Sequence, residues 1–168
     1  MSNEVTPSSA PSVLVIPPEG GQPISAFGST ALFKLEGRHT GGALCLAIAT
    51  TPPGVGPPPH VHHRDDELFV VLEGELSFLT ATGWVSARQG SVVFAPRGAP
   101  HTFRNSGSAP SRHLVLNLPS GFDEFYARCA ELQAGGGPPD VARLRAIAME
   151  YGYEFLPPGA MPAGEPRG

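Results

Sequence analysis

Between residues 13 and 118 the apolar residues come in short runs punctuated by Gly, Pro, Asn, Asp and Ser. Runs at Val13 to Ile16, Ala31 to Glu36, Ala43 to Thr50, Leu68 to Glu73 and Glu75 to Thr80 carry the β-branched and aromatic residues of strands. Further runs follow at Trp84 to Ala87, Ser91 to Ala95, His101 to Asn105 and His113 to Leu118. Two of them, LFVVL and SVVFA, are apolar at consecutive positions, as in strands covered on both faces of a closed or stacked sheet. So many short strands at close spacing predict an all-β sandwich or barrel.

After Pro119 the period changes. Phe122, Phe125, Tyr126 and Cys129 recur at helical spacing, with Ser120 and Asp123 placed as an N-terminal capping pair. The GGGPP stretch at 135–139 ends this helix, and Val141, Leu144, Ile147, Ala148 and Tyr151 predict a second amphipathic one. The expected organisation is a flexible arm over 1–12, a barrel over 13–118, a helical extension over 119–156 packed outside the barrel, and a flexible tail over 157–168.

Composition narrows the setting. A chain of 168 residues suits one domain, and its net charge of -4 with 15% charged residues shows no nucleic-acid footprint. The N-terminal MSNEVTPSSAPS has no basic region followed by an apolar run, so neither export nor a membrane span is expected and the cytoplasm is the default compartment. Cys45 and Cys129 form no CxxC or CxxH pair and are expected to be reduced packing residues. The 21 glycines and 20 prolines punctuate the strands, as turn-rich β domains require.

Four side chains carry candidate chemistry. His60 and His62, at i and i+2 on a strand, point to one face, and the polar turn Arg64-Asp65-Asp66 brings Glu67 beside them. His101 comes from a distant strand, aimed inward by the turn residues Pro96, Gly98 and Pro100. Imidazole and carboxylate donors suit one divalent transition metal, with Fe, Mn, Ni, Zn, Cu and Co all open. His63 has the opposite parity and is read as a surface residue, while His39 and His113 are read as ordinary side chains. Strand parity also proposes a substrate pocket lined by Phe69, Val71 and Phe103, with Phe78, Phe94, Leu46, Ile48 and Leu116 as further walls.

The spacing around these donors is specific. Gly54, His60, His62, Glu67 and Gly74 form one string, and Gly90, Pro96, Gly98, His101 and Asn105 a second. Both resemble the two sequence motifs of the cupin superfamily at every specified position. The segments PPPHVHHRDDELFVVLEGEL and FAPRGAPHTFRN, with the softer LNLPSGFDEFY and EYGYEFL, are similar to single-domain quercetin dioxygenase-like cupins over roughly residues 24 to 156. The resemblance implies a double-stranded β-helix, the cupin or jelly-roll barrel, with a metal bound by His60, His62, Glu67 and His101. It also implies a dioxygenase acting on a hydrophobic or aromatic enol such as a flavonol, with Glu67 accepting the substrate's hydroxyl proton as catalytic base. The alternatives are a non-oxidative metal-dependent lyase, isomerase or cyclase, and a non-enzymatic small-molecule-binding cupin. The partners expected are a small-molecule substrate and a second copy in a homodimer, Val13 to Ile16 supplying an exchanged strand.

Overall fold

The computed structural model describes residues 12–134 and 140–162. Most of the expected arm, the GGGPP break and half of the tail therefore lie outside the described residues. Eleven strands and three helices follow in the order β1 (Gln22–Ala26), β2 (Ser29–Leu35), α1 (Gly37–Thr40), β3 (Cys45–Thr51), β4 (His60–His62), β5 (Asp66–Glu73), β6 (Glu75–Thr80), β7 (Gly83–Arg88), β8 (Val92–Ala95), β9 (Thr102–Asn105), β10 (Ser111–Leu118), α2 (Phe122–Gln133), α3 (Val141–Tyr151) and β11 (Tyr153–Phe155). The large sheet runs β1-β2-β3-β10-β5-β8, a small one runs β7-β6-β9, and β11 pairs with β4. All pairings are antiparallel. With the helices at the C-terminal end this is a double-stranded β-helix.

Three details depart from expectation. Val13 to Ile16 is no strand: these residues are irregular, and Val13 is 92% exposed. Among the described residues nothing pairs them with a sheet, and the first strand forms only after the turn closed by the Gly20 amide on the Pro17 carbonyl. β1, β11 and the short α1 were not legible as apolar runs, because QPISA and YEF are too short and mixed to show a period. The Ser120–Asp123 capping pair does not form. Gly121 is the N-cap of α2, and Asp123 instead accepts from the Gly121 amide (3.1 Å) and from the Gly37 amide (2.8 Å), tying α2 to α1.

The interior has two joined parts. At one end Phe33, Ala47, Phe125, Tyr126, Cys129, Ala148 and Tyr153 pack the helices onto the large sheet, and at the other Phe69, Val71, Leu76, Phe78 and Val115 fill the barrel. Phe122 touches both. Two glycines matter to the frame. Gly74 makes the single-residue turn between β5 and β6 at φ +79°, and a Cβ on Gly56 would sit 1.8 Å from the Phe103 carbonyl oxygen. Cys45 and Cys129 are both buried free thiols.

Outside the barrel the large sheet is apolar as well. Phe94, Leu68, Leu116 and Leu46 align across four strands in one row, and Val92, Val70, Leu114 and Ile48 in the next. These side chains are half-buried or exposed, while their neighbours in sequence point inward.

Candidate metal centre

β4 carries His60 and His62, β5 opens with Glu67 one residue in, and His101 immediately precedes β9. An isolated bridge pairs His60 with His101 backbone to backbone, His60 N–H to the His101 carbonyl and the reverse, both at 3.0 Å. Strand pairing therefore brings the distant histidine to the HxH pair. One donor atom from each of His60, His62, Glu67 and His101 lies within 4.8 Å of the others, and all four residues are buried. The three rings sit 4.5 to 5.3 Å apart between centroids.

The hydrogen bonds behind the rings fix which nitrogens face inward. Nδ1 of His60 lies 2.8 Å from the Pro58 carbonyl and Nδ1 of His101 lies 3.0 Å from the Ala99 carbonyl. A carbonyl can only accept, so each Nδ1 carries the proton and each Nε2 is left as a bare donor atom for a metal. His62 does the same through Asp65, whose Oδ2 accepts from Nδ1 at 2.9 Å. Asp65 is 2% exposed, accepts also from Asn117 Nδ2 at 2.8 Å, and shares a hydrogen bond with Tyr153. The Tyr153 ring itself lies 4.4 Å from that of His62.

Electrostatics bear on whether a cation fits. Burial, with the neighbouring His101 and His62, holds His60 down to about 3. Burial also opposes charge on His62, but Glu67 and Asp65 outweigh it and raise this ring. Burial would raise Glu67 too, yet the three histidines around it hold it at about 2, a carboxylate at any ordinary pH. Glu67 Oε2 lies 3.0 Å from His101 Nε2 and 3.6 Å from His62 Nε2. With Nδ1 of His101 committed to Ala99, a neutral ring turns its Nε2 lone pair at that carboxylate. A positive charge must lie between them, as a proton or as a metal ion. Two atoms bound at right angles about 2.1 Å from one ion are about 3 Å apart, so the spacing accepts either. Three neutral imidazoles and one carboxylate fit a divalent transition metal.

His60, His62 and Glu67 open onto a cavity of about 70 Å³. Its walls include Ala47, Ala49, Phe69, Phe103 and Val115 from the barrel, Phe122, Phe125, Tyr126, Tyr153 and Phe155 from the C-terminal segment, and the polar side chains of Ser29, Thr51 and His113. No Lys or Arg lines it, and Glu67 is its one carboxylate among the described residues. The helix α2 and the strand β11 thus do more than cover the barrel from outside, since their aromatic rings line the space beside the metal ligands.

Of the expected pocket residues, Phe69 and Phe103 line this cavity, whereas Val71 and Phe78 are core packing below it. Leu46, Ile48 and Leu116 are on the outer face of their strands and Phe94 is 59% exposed on the edge strand β8. The correction has one cause: β3, β8 and β10 are apolar on both faces, so their phase is not readable and the inward set proves to be the small Ala47 and Ala49 with His113 and Val115. His113, read as ordinary, is fully buried on the cavity wall. His63 is exposed, with Nε2 2.9 Å from Glu154 Oε2. Asp65 was legible only as a turn residue. The signal that points to it is an acid three residues after a metal-ligand histidine.

Comparison with known proteins agrees with this geometry. Residues 47–117 match the cupin domain family model. The chain is 37% identical over 125 residues to a probable germin-like protein subfamily 2 member 5 of Arabidopsis thaliana, covering 70% of this chain and 56% of that one. It thus spans about half the length of the curated relatives it matches. Among solved structures, a predicted oxalate decarboxylase from Thermotoga maritima superposes with a TM-score of 0.59 at 20% identity, over 63% of this chain and 99% of that one. The polyketide cyclase RemF from Streptomyces resistomycificus gives 0.50 at 25% identity, over 56% and 68%. The domain match and the shared fold support a place in the cupin superfamily, and the buried His/His/Glu/His cluster suggests a metal ion.

Proposed function

We propose that this chain is a metal-dependent dioxygenase acting on a small, largely apolar enol, with His60, His62, Glu67 and His101 holding the ion. The observation that carries the reading is a cluster of four buried metal donors, three of which, His60, His62 and Glu67, open onto a cavity whose other walls are mostly apolar and aromatic. A bound divalent ion would supply Lewis acidity toward the enol oxygen and a redox partner for dioxygen. The protein's own residues orient the imidazoles, exclude water with the rings of Phe122, Phe125 and Phe155, and offer Glu67 to accept the enol proton.

The size of the cavity narrows the substrate. It is about half the ~150 Å³ of a cavity that holds one benzene, so a three-ring flavonol needs the aromatic closure to move aside. Smaller enolisable carbonyl compounds fit this reading better. The test is oxygen uptake by the metal-loaded protein with small enolisable carbonyls and, in parallel, a flavonol. Uptake with the small compounds supports the assignment, and no uptake with any enol overturns it.

A second reading is a non-oxidative cyclase, isomerase or lyase, favoured by the likeness to the polyketide cyclase RemF. Turnover without oxygen uptake would select it. We also propose that the two outer apolar rows, Phe94-Leu68-Leu116-Leu46 and Val92-Val70-Leu114-Ile48, are buried in a homodimer. A monomer mass by light scattering at micromolar concentration would contradict this.

A further inference from the structure

β10 places Ser111, His113, Val115 and Asn117 inward, and His113 directly follows a register shift against β5 at Arg112/His113. His113 is fully buried, pairs across β5 with Val71 and across β3 with Ala49, and reaches the cavity. Its ring does not sit in the ligand group. It belongs to a second cluster, 5.2 Å from Phe103 and 6.2 Å from Phe69.

The other polar side chains on the cavity wall are engaged. Ser29 and Thr51 share a hydrogen bond at 3.0 Å, Tyr126 donates to the Ala26 carbonyl, Tyr153 bonds Asp65, and the ligand set is held as described. Among the described residues, neither Nδ1 nor Nε2 of His113 has a partner. A phenylalanine or leucine would fill this apolar, ring-lined position without leaving two buried polar atoms unpaired. An imidazole there needs a reason, and its place on the wall of a cavity shared with the metal donors supplies one.

We infer that His113 is a substrate-binding residue, and that the substrate is a small enolisable carbonyl compound with a further hydroxyl or carbonyl group for this imidazole, beside the oxygens directed at the metal. The inference rests on the metal-dependent reading above and adds to it a substrate class: molecules with two separated polar points on a short apolar body. A site built to pair with such a group discriminates against the analogue lacking it.

The probes are pyruvate and hydroxypyruvate, which share the chelating keto-acid and differ by one hydroxyl. Their binding is read from the visible absorption bands of the cobalt-loaded protein, with cobalt content measured separately. Wild type should prefer hydroxypyruvate by about 3- to 10-fold, the range of one net hydrogen bond. His113→Phe, a ring entering an existing ring cluster, should bring the ratio near one with cobalt content unchanged, and His113→Gln should keep part of the preference. A wild type that binds both probes equally overturns the assignment, and so does a preference that survives in His113→Phe. Cobalt-loaded wild type whose bands respond to neither probe overturns the underlying reading together with it.

Discussion

Asp65→Asn should weaken metal binding without displacing a ligand. The Asp65 carboxylate accepts from His62 Nδ1 at 2.9 Å and from Asn117 Nδ2 at 2.8 Å, deep in the protein. It thereby fixes the tautomer that leaves His62 Nε2 bare. Both donors meet the same oxygen, Oδ2, so an amide of the same shape can accept them only through its single neutral oxygen and places an NH2 group where Oδ1 stands. Both hydrogen bonds would then lose the charge assistance that roughly doubles such bonds. Outer partners of metal-bound histidines are typically worth about 10- to 100-fold in affinity, or about 1.4 to 2.7 kcal/mol. Competition against a fluorescent chelator, with zinc as the ion, measures this directly. Thermal melting of the metal-free variant separates binding from folding. A variant that melts lower yet binds zinc within twofold of wild type would refute the orienting role and leave Asp65 as a folding residue.

Other consequences are equally open to measurement. Glu67→Gln should keep the fold while lowering turnover by about 100-fold or more, and unchanged turnover on an identified substrate would remove Glu67 as the proton acceptor. The metal-free protein should lose stability on acidification. His60 and His113 are held to about 3 and about 4 by burial, so the folded state refuses protons that the unfolded chain takes up below about 6.5. Stability then falls with pH from about 6.5 to 4 by up to ~1.4 kcal/mol per pH unit per group, and the stabilisation from Glu67 is lost from about 4.5 downward. The raised His62 opposes this only above its ordinary value, where its contribution fades as pH rises. Urea midpoints that stay level between pH 6.5 and 4.5 would contradict the buried-neutral assignment. Gly56→Ala should cost more than ~3 kcal/mol, because the new methyl meets the Phe103 carbonyl and the loop before β4 must shift. A melting temperature equal to wild type would show that this loop is free to move.

The parts of this account legible in the sequence are those that local pattern encodes. Glu75 to Thr80 reads as a strand and is one, and His60 with His62 share a face because strand side chains alternate. What pattern could not reach depends on contacts between distant segments. Ala47 and Ala49 face inward in place of Leu46 and Ile48, since the C-terminal rings take up the interior volume and the outer face of the large sheet is itself apolar. Asp65, Asn117 and Tyr153 meet around His62 from three elements, which no single stretch of sequence announces. His113 carries the same lesson: its alternation with Val115 and Asn117 marks a buried side, but not that this side opens on a cavity.

The central claim is that one divalent ion is held by His60, His62, Glu67 and His101. Elemental analysis of protein saturated with metal and freed of excess tests it directly, alongside His62→Ala and His101→Ala. The account predicts about one ion per wild-type chain and a loss of most of it in each variant. Wild-type protein that retains none, or variants that retain it all, would contradict the claim.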